Sequence, residues 1–392
     1  MKFVKSPKFL IFLIVFVNFL GYGIVFPVLP LMTEKYGGDP LISGLLIGVF
    51  SLMQLVATPV LGKLSDRFGR RPLLLYSLWG TVASFAIMGW THSIFWLMVA
   101  RVIDGISGGN VSIAQAYMAD VSDKKERAGA MGVLTAGISS GFILGPIWGG
   151  LFSGISLSAP FLAAAGITLV SVLLTQFFLP ESESVKEMEY EKKYFSFKSL
   201  ILDMENRPML VFFFIYMFIF WAQSGVFTTM SLFGKDILNI SVEQVSFIFA
   251  LGGIVSTFIQ GFGVSRLVKK FEEKKLLIIS IVAATAGFAV MSFAGSMILF
   301  IIGVTVYNIG GSLIVPVVNA LVSEKSPAHD QGGNLGLLQS FGSMGRLFGP
   351  VAAGFVYEKV NPFFPAIMGT FVMITMLFLS WQSLSTDKLK TG

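Results

Sequence analysis

Apolar residues run for about twenty positions at a time, and short polar stretches separate the runs. A helix of that length crosses the hydrocarbon of a bilayer. Twelve such runs predict helices at 8–32, 41–62, 72–91, 94–118, 128–153, 158–179, 207–233, 241–266, 275–293, 297–322, 333–357 and 362–383. The apolarity is continuous rather than alternating, which argues against a membrane β-barrel. No globular interior could hide so many runs. The expected fold class is an all-α membrane protein of twelve transmembrane helices. The first run follows Lys2, Lys5 and Lys8 in the manner of a secretory leader. It continues to Met32 through Pro27 and Pro30 without a small-x-small cleavage site, so it predicts an uncleaved first helix.

Twelve spans place both termini on one side. On that side, the termini and the loops after even-numbered helices hold 23 of the 28 Lys and Arg. The opposite loops hold only Lys35, Lys235 and Lys359, and Arg101 and Arg346 lie inside predicted spans. The positive-inside rule then puts both termini in the cytoplasm of a multi-pass protein of the cell (inner) membrane. The net charge of +6 follows topology and gives no reason to expect a nucleic-acid partner. Charged residues make up 13% of the chain, about half the share in soluble domains, and the mean hydropathy is +0.79. There is no Cys, and the two histidines, His92 and His329, fall in predicted loops without metal-ligand spacing. No P-loop, nucleophile or cofactor motif occurs, so neither an enzyme nor an ATP-driven pump is expected, and no cofactor.

The longest polar connection, 181–206, divides the chain into an N-terminal six-helix bundle (1–180) and a C-terminal one (207–392). The two resemble each other. Gly141-Phe-Ile-Leu-Gly145-Pro146 in predicted helix 5 matches Gly345-Arg-Leu-Phe-Gly349-Pro350 in predicted helix 11 at an offset of 204, and Gly129 and Gly132 meet Gly333 and Gly336 at the same offset. Parallel repeats of this kind rock about a midplane site in transporters.

Several clusters carry candidate chemistry. The basic stretch between helices 2 and 3 holds Gly62, Asp66, Arg67, Gly69, Arg70 and Arg71, where Asp66 can pair with Arg70 or reach a neighbouring helix end. With Asp120 after helix 4, this stretch reads either as topological anchoring alone or as a latch on the cytoplasmic side. Predicted helix 4 places Arg101, Asp104, Gly108, Ser112 and Gln115 on one face. Arg101 and Asp104 are i, i+3 neighbours, either a structural ion pair or a proton-coupling site in which the guanidinium tunes the carboxyl. Gly137, Gly141 and Gly145, with Pro146, Gly149 and Gly150, form a flat stripe for close helix packing or for a pliable seam. Asn308, Ser312 and Asn319 share a face of helix 10. Asn18 and Tyr22, Trp221, Gln223 and Phe227, and the amides Gln54, Gln260 and Gln339 complete the set of candidate substrate contacts. Arg346, where the first half has Phe142, needs a partner: a carboxylate, a carbonyl cluster or an anionic ligand.

Over essentially its whole length the chain resembles the major facilitator superfamily. Gly62-Lys-Leu-Ser-Asp66-Arg67-Phe-Gly69-Arg70-Arg71-Pro is similar to that superfamily's loop 2–3 signature, and Arg101-Val-Ile-Asp-Gly105 to its helix 4 Arg-x-x-x-Gly element. Gly137-x-x-x-Gly141-x-x-x-Gly145-Pro146-x-x-Gly149-Gly150 resembles the element marking its drug/proton antiporters, and Gly21-Tyr-Gly23 through Pro30 the helix 1 pattern of twelve-helix exporters. The first half is especially similar to tetracycline exporters, and the overall pattern to quinolone-type multidrug exporters. The resemblance implies two six-helix repeats with helices 1, 4, 7 and 10 lining a central cavity. It further implies proton-coupled efflux of small amphipathic organic compounds by a monomer, with a sugar or metabolite transporter of the same fold as the alternative. The chain departs from the pattern at Gly263-Val-Ser-Arg266, which lacks the acid of the signature, at Asp104, where a small or amide residue is usual, and in helices 7 and 10, which carry no deep carboxylate.

Overall fold

The structure is a computed structural model that describes residues 6–123, 126–182, 207–326 and 331–390. The linker beyond Ser182 and His329 lie outside the described residues. Backbone groups in hydrocarbon must be bonded within their own segment, so each apolar run becomes a helix. The long helices are α1 (Pro7–Lys35), α2 (Pro40–Phe68), α3 (Arg70–Trp90), α4 (Ile94–Asp120), α5 (Arg127–Ser153), α6 (Ala159–Phe178), α7 (Arg207–Asp236), α8 (Val242–Gly263), α9 (Glu273–Met291), α10 (Met297–Lys325), α11 (Gln331–Lys359) and α12 (Phe364–Lys390). Eleven are long and apolar enough to cross a membrane. The remaining one, α11, has 29 residues but is interrupted by Gly, Ser, Gln and Arg346.

Local chemistry sets the ends. Asp39 caps α2, its carboxylate accepting from the Ile42 N–H at 2.7 Å. The basic loop expected between helices 2 and 3 is shorter than the sequence suggests. α2 runs through Lys63, Asp66 and Arg67 to Phe68, only Gly69 interrupts, and α3 starts at Arg70. The charges that read as loop are compatible with a helix that has left the hydrocarbon. Gly69 turns the chain at φ +100°, a conformation that side chains resist. Two further helices are irregular. α4 is broken between Ser107 and Asn110, and α8 ends in a π-helical turn, Ile259–Gly263, running on into Val264–Phe271.

The chain forms two compact units, Met1–Glu187 with Phe227–Gly253, and Met188–Val226 with Ile254–Gly392. α7 and α8 are thus shared between the units. In unit 1, α1, α3, α4, α5 and α6 enclose a core built on Leu10, Ile14, Leu74, Leu78, Tyr117, Leu134 and Val172.

The glycine stripe of α5 lies along α1. A methyl group at Gly137 would stand 3.0 Å from the Phe12 carbonyl oxygen, at Gly141 2.6 Å from the Phe19 Cβ, at Gly145 2.5 Å from the Leu20 carbonyl oxygen and at Gly149 3.3 Å from Val28. Pro146 meets Gly23, whose own methyl would be 2.8 Å from the ring. Gly150 points elsewhere, toward Ser246 of α8. Unit 2 repeats the arrangement between α7 and α11. Gly345 abuts the Met217 carbonyl, and Gly349 the Trp221 carbonyl. Because lipid is as apolar as the side chains, such helix pairs gain from close van der Waals contact rather than from hydrophobic burial. Gly145→Val should therefore destabilise the protein by about 1–3 kcal/mol, read as a lower Tm of the purified protein. Gly129→Ala, at a position where a methyl meets open space, should leave the Tm unchanged.

Candidate functional site

The charged pair of α4 is buried. Arg101 is 1% and Asp104 7% exposed, and their ion pair is 2.6 Å long. The guanidinium also donates from Nε to the Leu46 carbonyl at 3.1 Å and lies 4.3 Å over the Phe50 ring, both on α2. Its Nη2 has no hydrogen-bond partner among the described residues. α2 can come this close because α4 is lined with glycine. A methyl on Gly105 would stand 2.6 Å from the Phe50 carbonyl oxygen. The break at Gly108 and Gly109 interrupts the backbone ladder, and the Gln54 amide donates to the Gly108 carbonyl at 3.0 Å. An isolated charge at this depth would cost several kcal/mol. Paired and hydrogen-bonded, the two ions offset one another, and removing either leaves the other exposed to that penalty.

Around the pair stand other candidates from α1. Tyr22 packs on Phe50 with centroids 5.6 Å apart and also touches Phe19, Phe26 and Phe142. Asn18 donates to Asn110 at 3.1 Å. Asn110, fully buried, is absent from the sequence reading, although its place just after the Gly-Gly break marks it. The single polar face expected on helix 4 does not survive the break. Ser112 turns back to the Gly109 carbonyl at 2.8 Å, and Gln115 is exposed.

At the end of unit 1 that carries the α2–α3 turn, charges interlock. Arg70 contacts Asp66 at 2.5 Å, Asp120 at 3.2 Å and the Ser65 hydroxyl at 2.6 Å. Glu181 closes the group. Its carboxylate accepts from the Arg70 and Arg71 N–H groups at 2.8 and 3.1 Å, at the N-terminus of α3. An anion there satisfies donors that the helix leaves free and meets the positive end of its dipole. Arg71 reaches the Gln176 carbonyl, whereas Arg67 lies over the neighbouring Phe68 ring and a methyl on Gly62 would meet no described neighbour. Sequence reasoning missed Glu181, and its position just after predicted helix 6, on the same side as the basic stretch, is the signal by which it could have been found. At the same end, the Lys8 ammonium hydrogen-bonds the exposed Glu126 carboxylate at 2.7 Å and holds that group below its usual pKa.

Unit 2 gathers a second polar group. Asn308 accepts from the Ser256 hydroxyl at 3.0 Å and donates to the Val304 carbonyl at 2.8 Å. Ser312 and Asn319 bond to carbonyls of their own helix at 3.3 and 2.9 Å. Gln339 donates to the Tyr216 hydroxyl at 2.9 Å. Arg346 donates to Ser343 at 3.1 Å and lies 4.3 Å over the Phe220 ring. A carboxylate or carbonyl partner was expected, but neither is in contact with it among the described residues. Trp221 stacks edgewise on Phe218, Gln223 is half-buried and Gln260 is exposed on the π-helical turn. Phe227 belongs to unit 1, where it meets Phe26 and Phe249. The structure thus joins the candidates in separate local contacts: Arg101 with Asp104, and Arg70 with Asp66 and Asp120, in unit 1, and Gln339 with Tyr216 and Asn308 with Ser256 in unit 2. Tyr216 and Ser256 carry no sequence signal of their own.

Comparison with known proteins matches this architecture. A family model described as Major Facilitator Superfamily matches residues 11–350 and, overlapping them, 235–391. Tetracycline resistance protein, class C, of Escherichia coli is 32% identical over 347 residues, 86% of either chain. Multidrug resistance protein 2 of Bacillus subtilis (strain 168) is 30% identical over 382 residues, 95% of this chain and 94% of the relative. The crystal structure of the nucleoside transporter NupG superposes with a TM-score of 0.76 at 16% identity, covering 97% of this chain and 99% of that one, a likeness of fold alone. A family model spanning nearly the whole sequence, and full-length relatives at 30% identity or above, establish that the chain belongs to the Major Facilitator Superfamily of membrane transporters.

Proposed function

We propose that this transporter exports amphipathic organic molecules from the cytoplasm in exchange for protons, by alternating access, as a monomer with both termini on the cytoplasmic side of the inner membrane. The observation that carries the proposal is the buried Arg101–Asp104 pair, in a chain whose relatives are named for resistance to tetracycline and to multiple drugs. Asp104 is the one carboxylate, among the described residues, more than six residues from both ends of a long helix. A carboxyl there has two states of different charge. Ionised, it neutralises Arg101. Protonated, it releases Nη1, and the Leu46 carbonyl and the Phe50 ring keep the guanidinium in place. A proton arriving from outside and a substrate arriving from inside drive the cycle only if each binds the two conformations differently.

The remaining candidates take supporting roles. Asp66, Arg70 and Asp120, braced by Glu181, act as a latch for one of the two states. The α1–α5 glycine contact serves as a seam with little side-chain interdigitation to resist sliding. Asn18, Tyr22, Gln54, Trp221, Gln223, Phe227, Asn308, Asn319 and Gln339 supply amide and aromatic contacts suited to an amphiphile.

The deciding experiment energises inverted vesicles with a proton gradient and adds tetracycline, a quinolone, ethidium or a sugar. Luminal alkalinisation on adding an amphiphile supports the proposal, and a response to sugar alone would point to a metabolite transporter of the same fold. Asp104→Asn should abolish substrate-driven proton release. Since it also strands a buried cation at a cost of about 3–5 kcal/mol, the double variant Arg101→Gln/Asp104→Asn should recover membrane abundance while coupling stays absent. Coupling that persists in the double variant would remove Asp104 from the mechanism. Asp66→Asn breaks an ion pair worth up to about 1 kcal/mol, so transport should fall roughly two- to fivefold with unchanged abundance, measured by initial rates against immunoblotted protein.

A further inference from the structure

Only three charged side chains, Arg101, Asp104 and Arg346, lie more than six residues from both ends of a long helix among the described residues. The first two neutralise each other. Arg346 has no such partner. It stands 15 residues after Gln331 and 13 before Lys359, hence about 20 Å from either end of α11, near the depth at which transporters bind substrate. The Phe220 ring covers one face of its guanidinium, and the Ser343 hydroxyl takes one Nη2 donor. Neither contact carries negative charge. The rest of the planar fork, which suits the two oxygens of a carboxylate or sulfonate, is unengaged by the described residues.

Packing does not require this cation. At the equivalent position of the other repeat stands Phe142, between Gly141 and Gly145 as Arg346 stands between Gly345 and Gly349. There an aromatic ring fills the place against Phe19 and Tyr22. The helix pairs close on their glycines in both units, so the charge is an addition to the scaffold and not part of it. Tyr216 and Gln339, hydrogen-bonded to each other, supply neutral polar groups in the same unit.

We propose that Arg346 is the counter-charge for the head group of the exported molecule, and that the substrate class is therefore organic anions with an aromatic or aliphatic body, not lipophilic cations. The inference rests on the exporter reading above and adds the sign of the substrate's charge. Asp104 belongs to unit 1 and Arg346 to unit 2, so the proposal assigns proton and anion to different side chains.

The test uses the full chain reconstituted in phosphatidylcholine vesicles, with 8-anilinonaphthalene-1-sulfonate as the anionic probe and ethidium as the cationic one. Transport under a proton gradient and the rise in Tm on adding each probe to purified protein are both read. Wild type should transport the sulfonate and be stabilised by it. Arg346→Gln should raise the sulfonate concentration needed for half-maximal effect at least about tenfold, the scale of losing a charge-assisted contact. It should also improve the handling of ethidium, since a repulsive charge is gone. Arg346→Lys, which keeps charge but not the fork, should fall between. The proposal is overturned if Arg346→Gln, with wild-type Tm in the absence of probe, keeps the wild-type sulfonate dependence, or weakens both probes alike. It is also overturned if the sulfonate effect of Arg346→Gln emerges only when phosphatidylglycerol is added, which would make the anion a lipid head group. Ethidium transport without sulfonate transport would sink this inference and leave the exporter reading standing. Stabilisation by the sulfonate that depends on Arg346, with no gradient-driven movement of either probe, would sink the exporter reading and leave the anion site.

Discussion

Hydrocarbon offers no hydrogen bonds, and nearly every feature of this molecule answers that constraint. It makes each apolar run a helix, because only a helix satisfies its own backbone. It also removes the usual reason for helices to associate, since a leucine is as well placed against lipid as against protein. What remains is contact, and contact is best where nothing stands between backbones. The α1–α5 pair and its counterpart α7–α11 are built on this rule, glycine facing carbonyl along their length. The same rule brings α2 onto Gly105 of α4, and that approach sets the Leu46 carbonyl and the Phe50 ring around Arg101. Close packing and the charged site are thus one design, because the arginine is tolerable only where a neighbouring backbone can reach it.

The same constraint explains what happens where the helical ladder fails. α4 breaks at two successive glycines, and the buried Gly108 carbonyl is met by an amide from α2. At the N-terminus of α3 the free N–H groups are met by Glu181 from beyond α6. In both places a side chain distant in sequence supplies what the local backbone lacks. Each such bond ties two helices at a defined height, which a purely apolar contact does not do.

This division explains what could be read from the sequence. Apolar runs are local, so twelve helices could be counted, α11 among them although its hydropathy is weak. The Arg101–Asp104 pair was legible because both partners lie on one helix, three residues apart. The helical extension of α2 through Asp66 was hidden, since charge marks the edge of hydrocarbon and not the end of a helix. Asn110, Tyr216, Ser256 and Glu181 were hidden for another reason. Tyr216 and Ser256 are ordinary in their own stretch of chain, Asn110 and Glu181 are marked only by place, and all four gain meaning from a partner 52 to 123 residues away. For the same reason, two of the partners open to Arg346, a carboxylate and a carbonyl cluster, could not be decided from the sequence. The fold sets an aromatic face and a hydroxyl beside it instead.

Duplication gave the two halves the same scaffold and left their chemistry free to diverge. The glycine positions that set helix distance correspond between α5 and α11, whereas the residue between them is an aromatic ring in one and a cation in the other. Such divergence is what a pump needs. A ligand shifts a conformational equilibrium only by the difference in its affinity for the two states, and two chemically identical halves would offer a substrate the same contacts whichever way they tilted. An acid neutralised by its own arginine in one unit, and an arginine without an acid in the other, are the chemical difference on which the proposed exchange rests. The scaffold can therefore be conservative about distance, where a single methyl group is disruptive, and permissive about chemistry one residue away.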